Sequence, residues 1–404
     1  MRAKWIGLTI VVVGAAAAAG VYYMVQPSGP PANQPTWEHT YGGPGRDEAT
    51  HATPTEDGGV VVAGDRTPDG KSDADAWVIR LDKAGSTVWE RTWGSDGDEH
   101  VEDIQPTLDG GFIATGETQG ATSGIGSVWV AKLDGKGSTV WLKQYDRKRK
   151  GRPHAILAAA DGGYVVAGTE QSANPDYYDG WVAKIDADGK IVWERYYGGQ
   201  DDETVNAIRA TPDGGYVFAG TTQSKGAGGK DAWVVKINST GQQLWEETFG
   251  SPENDSATDL VTLGDKGYVV AGWTESDRDR HKRDGWVIRL DAKGKKLWEH
   301  SYGGAENDEA HEIRPGNDSG FVVVGTTESK SAGGKDAWVL RIDDSGNELW
   351  NRTIGGKDDD EATAVVPMLD GAFVVVGKTR SQGAGGQDAW VMQLNALGEM
   401  TKSG

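Results

Sequence analysis

Residues 336–362 read DAWVLRIDDSGNELWNRTIGGKDDDEA. An apolar run, a tight Ser-Gly turn, a second short run around Trp350, a Gly-Gly step and a row of carboxylates follow one another. Nearly the same words occur seven times. A Trp opens each copy, at Trp37, Trp89, Trp141, Trp193, Trp245, Trp298 and Trp350, with spacings of 52, 52, 52, 52, 53 and 52 residues. A second Trp follows 40 residues later, or 41 in the fifth copy: Trp77, Trp129, Trp181, Trp233, Trp286, Trp338 and Trp390. Repetition at this period marks a repeat architecture before any motif is weighed.

Each unit divides into four short extended runs. In the first, EATHATPT ends at the turn Asp57-Gly58-Gly59, and GVVVAG follows as a continuous apolar strand. A Gly-rich loop leads to DAWVIRLD, and Lys83-Ala84-Gly85 turns the chain into STVWERTW. Four strands per unit of about 50 residues is a propeller blade. The seventh repeat stops after its third run, while PTWEHTYGG near the N-terminus has no preceding three. The expected fold is therefore all-β: a seven-bladed β-propeller of four-stranded blades over residues 37–404, its ring closed by the N-terminal strand. A Gly recurs 27 residues after each opening Trp (Gly64, Gly116, Gly168, Gly220, Gly272, Gly325, Gly377), and its missing Cβ is expected to make room for an indole.

Ahead of the propeller, Arg2 and Lys4 form a positive n-region within residues 1–4, and Trp5–Val25 is an uncharged, mostly apolar stretch of membrane-spanning length. Two readings stand: a single-pass anchor, favoured by Tyr22 and Tyr23 at an interfacial position, or a signal sequence cut within Ala15–Ala19. Both place the propeller outside the cytoplasmic membrane, in the periplasm or at the cell surface; cleavage would make it secreted. Residues 26–36, PSGPPANQP among them, form a linker.

The formal charge is −20, and residues 37–404 carry −22 because Arg2 and Lys4 supply +2. Such a body repels nucleic-acid backbones and anionic lipid. There is no cysteine, which excludes thiolate catalysis, disulfides and Cys-ligated zinc.

The unit YGGxxxDEAxxxxxTxDGGYVVAGTTxSxGAGGxDAWVxKID resembles the bacterial β-propeller repeats often called SBBP repeats, found in exported and surface proteins. The tail RLDAKGKKLWE (Arg289–Glu299) is similar to the tryptophan-docking repeat of quinoproteins and outer-membrane assembly propellers. Quinoprotein dehydrogenases hold their cofactor with a vicinal cysteine pair; none exists in this chain, so the resemblance implies shared packing and no cofactor.

Four sets of residues are candidates for function. The first stands ten residues after each opening Trp: Asp47, Glu99, Glu203, Asp255, Asp308 and Asp360, with Gly151 the exception. These carboxylates either ring the channel mouth and hold Ca²⁺ or accept N–H bonds from their own Gly-Gly loops. The Asp before each second Trp is read as structural, with Ser127 replacing it in the second repeat. The second set, at offset 13, is Thr50, Glu102, His154, Asn206, Thr258, His311 and Thr363, polar residues expected to line the central channel. His311 and Glu312, near Glu309, are a weaker metal candidate.

The third and fourth sets are departures from the repeat. In the third blade the loop becomes YDRKRKGR, with Arg147, Lys148, Arg149, Lys150 and Arg152; in the fifth, SDRDRHKRD carries Arg278, Arg280, His281, Lys282 and Arg283. Both loops are expected on one face, together with Tyr177 and Tyr178, and to dock an acidic protein or a glycan. Neither G-x-S-x-G nor H-E-x-x-H occurs. The sequence therefore favours a monomeric, non-enzymatic binding scaffold over a glycan-active hydrolase or lyase, or a structural spacer.

Overall fold

The computed structural model describes residues 34–400 apart from 95–96, 121–126, 146–148, 175, 276–281 and 318. The Trp5–Val25 segment lies outside the described residues. Among the described residues no helix is long and apolar enough to cross a membrane.

Seven antiparallel four-stranded sheets form the blades. In blade 1, strand A (Asp47–Pro54) is innermost, followed by B (Val60–Arg66), C (Asp75–Leu81) and D (Thr87–Trp93). Blade 7 takes its D strand from Trp37–Tyr41, which pairs with Asp388–Leu394 in the register Trp37↔Gln393 to Tyr41↔Ala389. This closes the ring as the repeat count requires.

The core is distributed. Seven apolar clusters each span one blade junction: Trp77 and Ile79 meet Val366 and Val374 between blades 1 and 7, and Trp233 and Phe218 meet Leu157 and Val165 between blades 4 and 3. The second Trp of each repeat sits at these junctions, 1–5 % exposed. Burying an indole contributes at most about 4–6 kcal/mol. The Trp77 Nε1 donates to Glu90 Oε1 on strand D at 2.9 Å, and the same bond recurs from Trp181, Trp233, Trp338 and Trp390. In blade 2 the partner position is Leu142, and the Trp129 Nε1 has no acceptor.

The opening Trp of each repeat docks on the next blade. A Cβ on Gly137 would lie 2.6 Å from the Trp89 ring, and on Gly398 2.6 Å from Trp350. These C–D turn glycines have φ between 70° and 83° in all seven blades, which a side chain disfavours even without the indole. The tryptophan-docking geometry is therefore present at every junction.

The glycines at offset 27 have a different reason from the one expected. In each blade a Cβ there would lie 1.8–2.1 Å from a backbone carbonyl of strand A: Glu48 O for Gly64, Thr204 O for Gly220, Glu361 O for Gly377. An indole is among the nearest atoms only at Gly116, where Trp129 also approaches. The close carbonyl belongs to a β-bulge. Ala49 pairs with Gly64 and His51 with Ala63, so Thr50 is extra; the same slip occurs in all seven blades. Replacing Gly220 by Val forces the bulge carbonyl away. We expect Gly220→Val to cost about 3 kcal/mol, read as a large drop in thermal midpoint by circular dichroism. An unchanged midpoint would contradict the bulge account.

Candidate functional site

The extra residue of every bulge is the offset-13 residue. Five of the seven bridge to the next blade, each accepted by the carbonyl at offset 12. Thr50 Oγ1 donates to Val101 O (3.0 Å), Asn206 Nδ2 to Ala257 O (2.7 Å) and Thr258 Oγ1 to Ala310 O (2.8 Å). His311 Nδ1 lies 2.9 Å from Ala362 O, and Thr363 Oγ1 donates to Ala49 O (2.8 Å), carrying the ring across the chain closure. Glu102 and His154 are the two that do not join. A carboxylate cannot donate to a carbonyl; Glu102 instead accepts from Arg152 Nε at 2.8 Å. His154 Nε2 meets Thr169 Oγ1 of its own blade at 3.2 Å. Burial, and then the Arg152 charge, push the His154 imidazole down to about 4, so it is neutral at physiological pH.

One layer toward the loop face, offset 11 of each strand A meets offset 28 of the preceding strand B. Most of these meetings are filled by long side chains: Lys378 reaches Glu48 and Glu361, Asp65 holds His100 at 2.6 Å, and Glu117 faces Arg152 at 3.6 Å. Around blade 4 they are short: Thr169, Thr204, Thr221 and Ser256. There a cavity of about 390 Å³ opens, bounded by Arg152 and His154 at one end and Trp273 at the other. Trp273 replaces the Thr that three other blades carry at this position. The Arg283 guanidinium lies 4.0 Å from its ring centroid and bonds Glu309 at 2.7 Å. Three of its lining residues, Arg152, His154 and Tyr178, are among the sequence candidates, whereas Trp273, visible as a Trp outside the periodic set, is not.

The offset-10 carboxylates are buried, and in five of them a loop N–H holds one oxygen, while the other oxygen of Asp47, Asp255 and Asp308 has no hydrogen-bond partner among the described residues. Asp47 accepts from Gly43 N (2.7 Å), Glu203 from Gly199 N (2.7 Å), Asp308 from Gly304 N (2.8 Å) and Asp360 from Gly356 N (2.7 Å); Asp255 accepts from Ser251 N. Across the junction each faces the structural Asp of the previous blade, with a glycine between: a Cβ on Gly250 would lie 2.4 Å from Asp231 Oδ1 and 2.6 Å from Asp255 Oδ2. Burial, and then the facing Glu203, raise the Asp179 carboxyl. The two exceptions, Ser127 and Gly151, fall at one junction, so both acids of that pair are lost together. Among the described residues no three His, Asp or Glu converge as a metal site. Glu312 accepts from Val365 N at 2.6 Å and pairs with Arg314, so it and His311 are engaged with protein partners.

The described flanks of the two departing loops, at Lys150 and Arg283, lie at one end of the disc. The loop before each strand A bonds the loop after strand B, as in Thr67 N to Arg46 O (3.0 Å) and Gln171 N to Lys150 O (2.7 Å). Arg147, Lys148, Arg278, Arg280 and His281 lie outside the described residues. Arg149 and Lys150 are exposed, and Tyr177 and Tyr178 are half-buried beside them in sequence register. Lys282 pairs with Glu306 at 2.9 Å, and Arg283 bridges Glu275 and Glu309, so those two cations are locally neutralised.

A ring of docked tryptophans on four-stranded blades defines a tryptophan-docked β-propeller repeat protein. A family described as outer membrane protein assembly factor BamB matches residues 178–382, just over half of the chain, and the chain belongs to that family. A regulatory protein of Caulobacter vibrioides, FlaEY, is 26 % identical over 174 residues, covering 37 % of this chain and 18 % of that protein, so the chain spans under a fifth of this relative's length. Among solved structures, the Neurospora crassa Pan2 WD40 domain matches 86 % of this chain and 89 % of its own with a TM-score of 0.54 at 13 % identity. Puromycin hydrolase matches 87 % of this chain and 52 % of its own, with a TM-score of 0.54 at 15 % identity. Both likenesses are of fold alone.

The Asp65–His100 contact yields a pH test. Its hydrogen bond to Asp65 raises the His100 imidazole from 6.5 to about 8. A group raised in the folded state stabilises below its unfolded value and loses that contribution as pH climbs through the folded one. The thermal midpoint should therefore fall between pH 6.5 and about 8, and His100→Gln should flatten that segment of the profile. An identical slope in the variant would show that this pair does not supply it.

Proposed function

We propose that the chain is a non-enzymatic scaffold that docks a protein partner on its loop face, outside the cytoplasmic membrane. The observation that carries the reading is that the basic and aromatic departures from the repeat gather on that face, while those at the opposite end, Leu263–Gly267 and Gly316–Gly320, are variant turns. The exposed Arg149 and Lys150, the Tyr177–Tyr178 pair and the cavity around blade 4 all belong to the end where strand A begins and strand B finishes. A regular repeat explains packing; charged and aromatic irregularity grouped at one face supports recognition, and Tyr and Arg suit contact hot spots. Membership of a family described as an assembly factor agrees with protein docking and with an extracytoplasmic propeller. We assign Trp5–Val25 to carrying the propeller there, as an anchor or a signal sequence.

The cavity does not favour hydrolysis. Among its lining residues only Asp202 is a carboxylate, whereas glycoside hydrolysis uses two. Asp202 is already occupied: Oδ1 accepts from Tyr178 N (2.9 Å) and Oδ2 from the Gln223 amide (3.4 Å).

Photo-crosslinking residues placed singly at Lys150 and Tyr177 on the loop face, and at Lys83 and Asp188 in turns at the opposite end, test the reading in cells. We expect a discrete protein adduct from the first pair and none from the second. Adducts of equal yield from both ends, or from neither, would overturn it.

A further inference from the structure

We propose that the cavity around blade 4 is a carbohydrate-binding site that seats a pyranose unit against Trp273. This inference is independent of the docked protein and of the membrane segment.

The cavity arises from side-chain size. Where other junctions close the channel mouth with Lys, Glu, Arg or His, this stretch places four short hydroxyl side chains in succession. Thr221 and Ser256 share a bond at 2.8 Å across the junction of blades 4 and 5, and Thr204 Oγ1 accepts from Thr221 N at 3.2 Å. With these short side chains the cavity measures about 390 Å³, within the range of small-ligand pockets. Every wall hydroxyl that remains can both donate and accept.

The chemistry of the walls selects among ligands. A pyranose has an apolar C–H face and a rim of hydroxyls. Trp273 supplies the matching aromatic wall: an indole face carries negative potential and attracts polarised C–H groups. Arg283, stacked at 4.0 Å and held by Glu275 and Glu309, fixes the orientation of that indole from outside the cavity. A preset aromatic wall loses little freedom on binding. Gln223 and Lys230 then offer an amide and an ammonium to the hydroxyl rim.

Charge argues against a phosphate or other dianion. Arg152 is spent on Glu102 (2.7 Å) and Glu117 (3.6 Å), and His154 is neutral. Lys230 and Asp202 contribute one charge of each sign to the lining, within a chain of net charge −20. The site is close to neutral, as an uncharged sugar requires and an anion does not.

The test is saturation-transfer NMR with isothermal titration of the full chain against cellotetraose, maltotetraose and chitotetraose, with inorganic phosphate as the competing class. We expect at least one tetrasaccharide to bind in a one-to-one ratio, with the strongest transfer to the axial ring protons of a single unit. Trp273→Thr restores the residue of three other blades and should weaken binding about tenfold. Thr204→Glu, which carries the residue of three other blades at offset 11, should fill the cavity and abolish binding. The transfer pattern on the unaltered protein decides the case even if a variant is unstable. No transfer to any of the three sugars, binding of phosphate alone, or unchanged affinity in a folded Trp273→Thr variant would overturn the proposal.

Discussion

A backbone carbonyl pressed into the space of a missing Cβ is the contact on which this propeller turns. At each strand A the chain inserts one extra residue, and the carbonyl two positions earlier comes within 2.1 Å of where a Cβ on the opposing glycine would stand. Only glycine permits that approach. The bulge then re-aims the extra side chain toward the neighbouring blade, where in five of seven cases it finds a carbonyl to bond. One local steric allowance is thus converted into a ring of inter-blade hydrogen bonds around the channel. Outside that ring, indoles docked on turn glycines and a buried Trp at each junction supply the apolar part of the same joint.

The regular joint explains why its failures are informative. Glu102 has no proton to give, and His154 turns to Thr169, so two consecutive links are missing on either side of blade 3. Beside them the channel mouth changes from long charged pairs to short hydroxyls, and Trp273 closes the far end. A site is formed where blade-to-blade closure is relaxed, without any new element being added to the fold.

The repeat made most of the architecture legible. Fixed Trp spacing gave seven units, and the truncated last unit required a closing N-terminal strand; both follow from counting. Of the two readings of the acidic offset-10 residues, the loop N–H groups do take one carboxylate oxygen, as Asp beside Gly-Gly does in turns, while the second oxygen of Asp47, Asp255 and Asp308 has no hydrogen-bond partner among the described residues. The offset-27 glycines were visible but misassigned, since a bulge carbonyl leaves no mark in the sequence that distinguishes it from an indole. The offset-13 residues vary around the ring, with Thr in three blades and His in two, and so looked like a ligand surface. In fact Thr, Asn and His are interchangeable there because each can donate to a carbonyl. The cavity was illegible for a different reason: it depends on four small residues from four strands meeting across two junctions, and single-position reading does not register that coincidence.

The most direct test is the unfolding stability of His154→Asn beside Asn206→Val. Asn206 already donates to Ala257 O at 2.7 Å from the equivalent bulge one blade on. An Asn at 154 should reach the Val205 carbonyl and raise stability by about 1 kcal/mol, while Asn206→Val should lower it by a similar amount. A loss of stability in His154→Asn, or no loss in Asn206→Val, would contradict the claim that the bulge ring joins the blades.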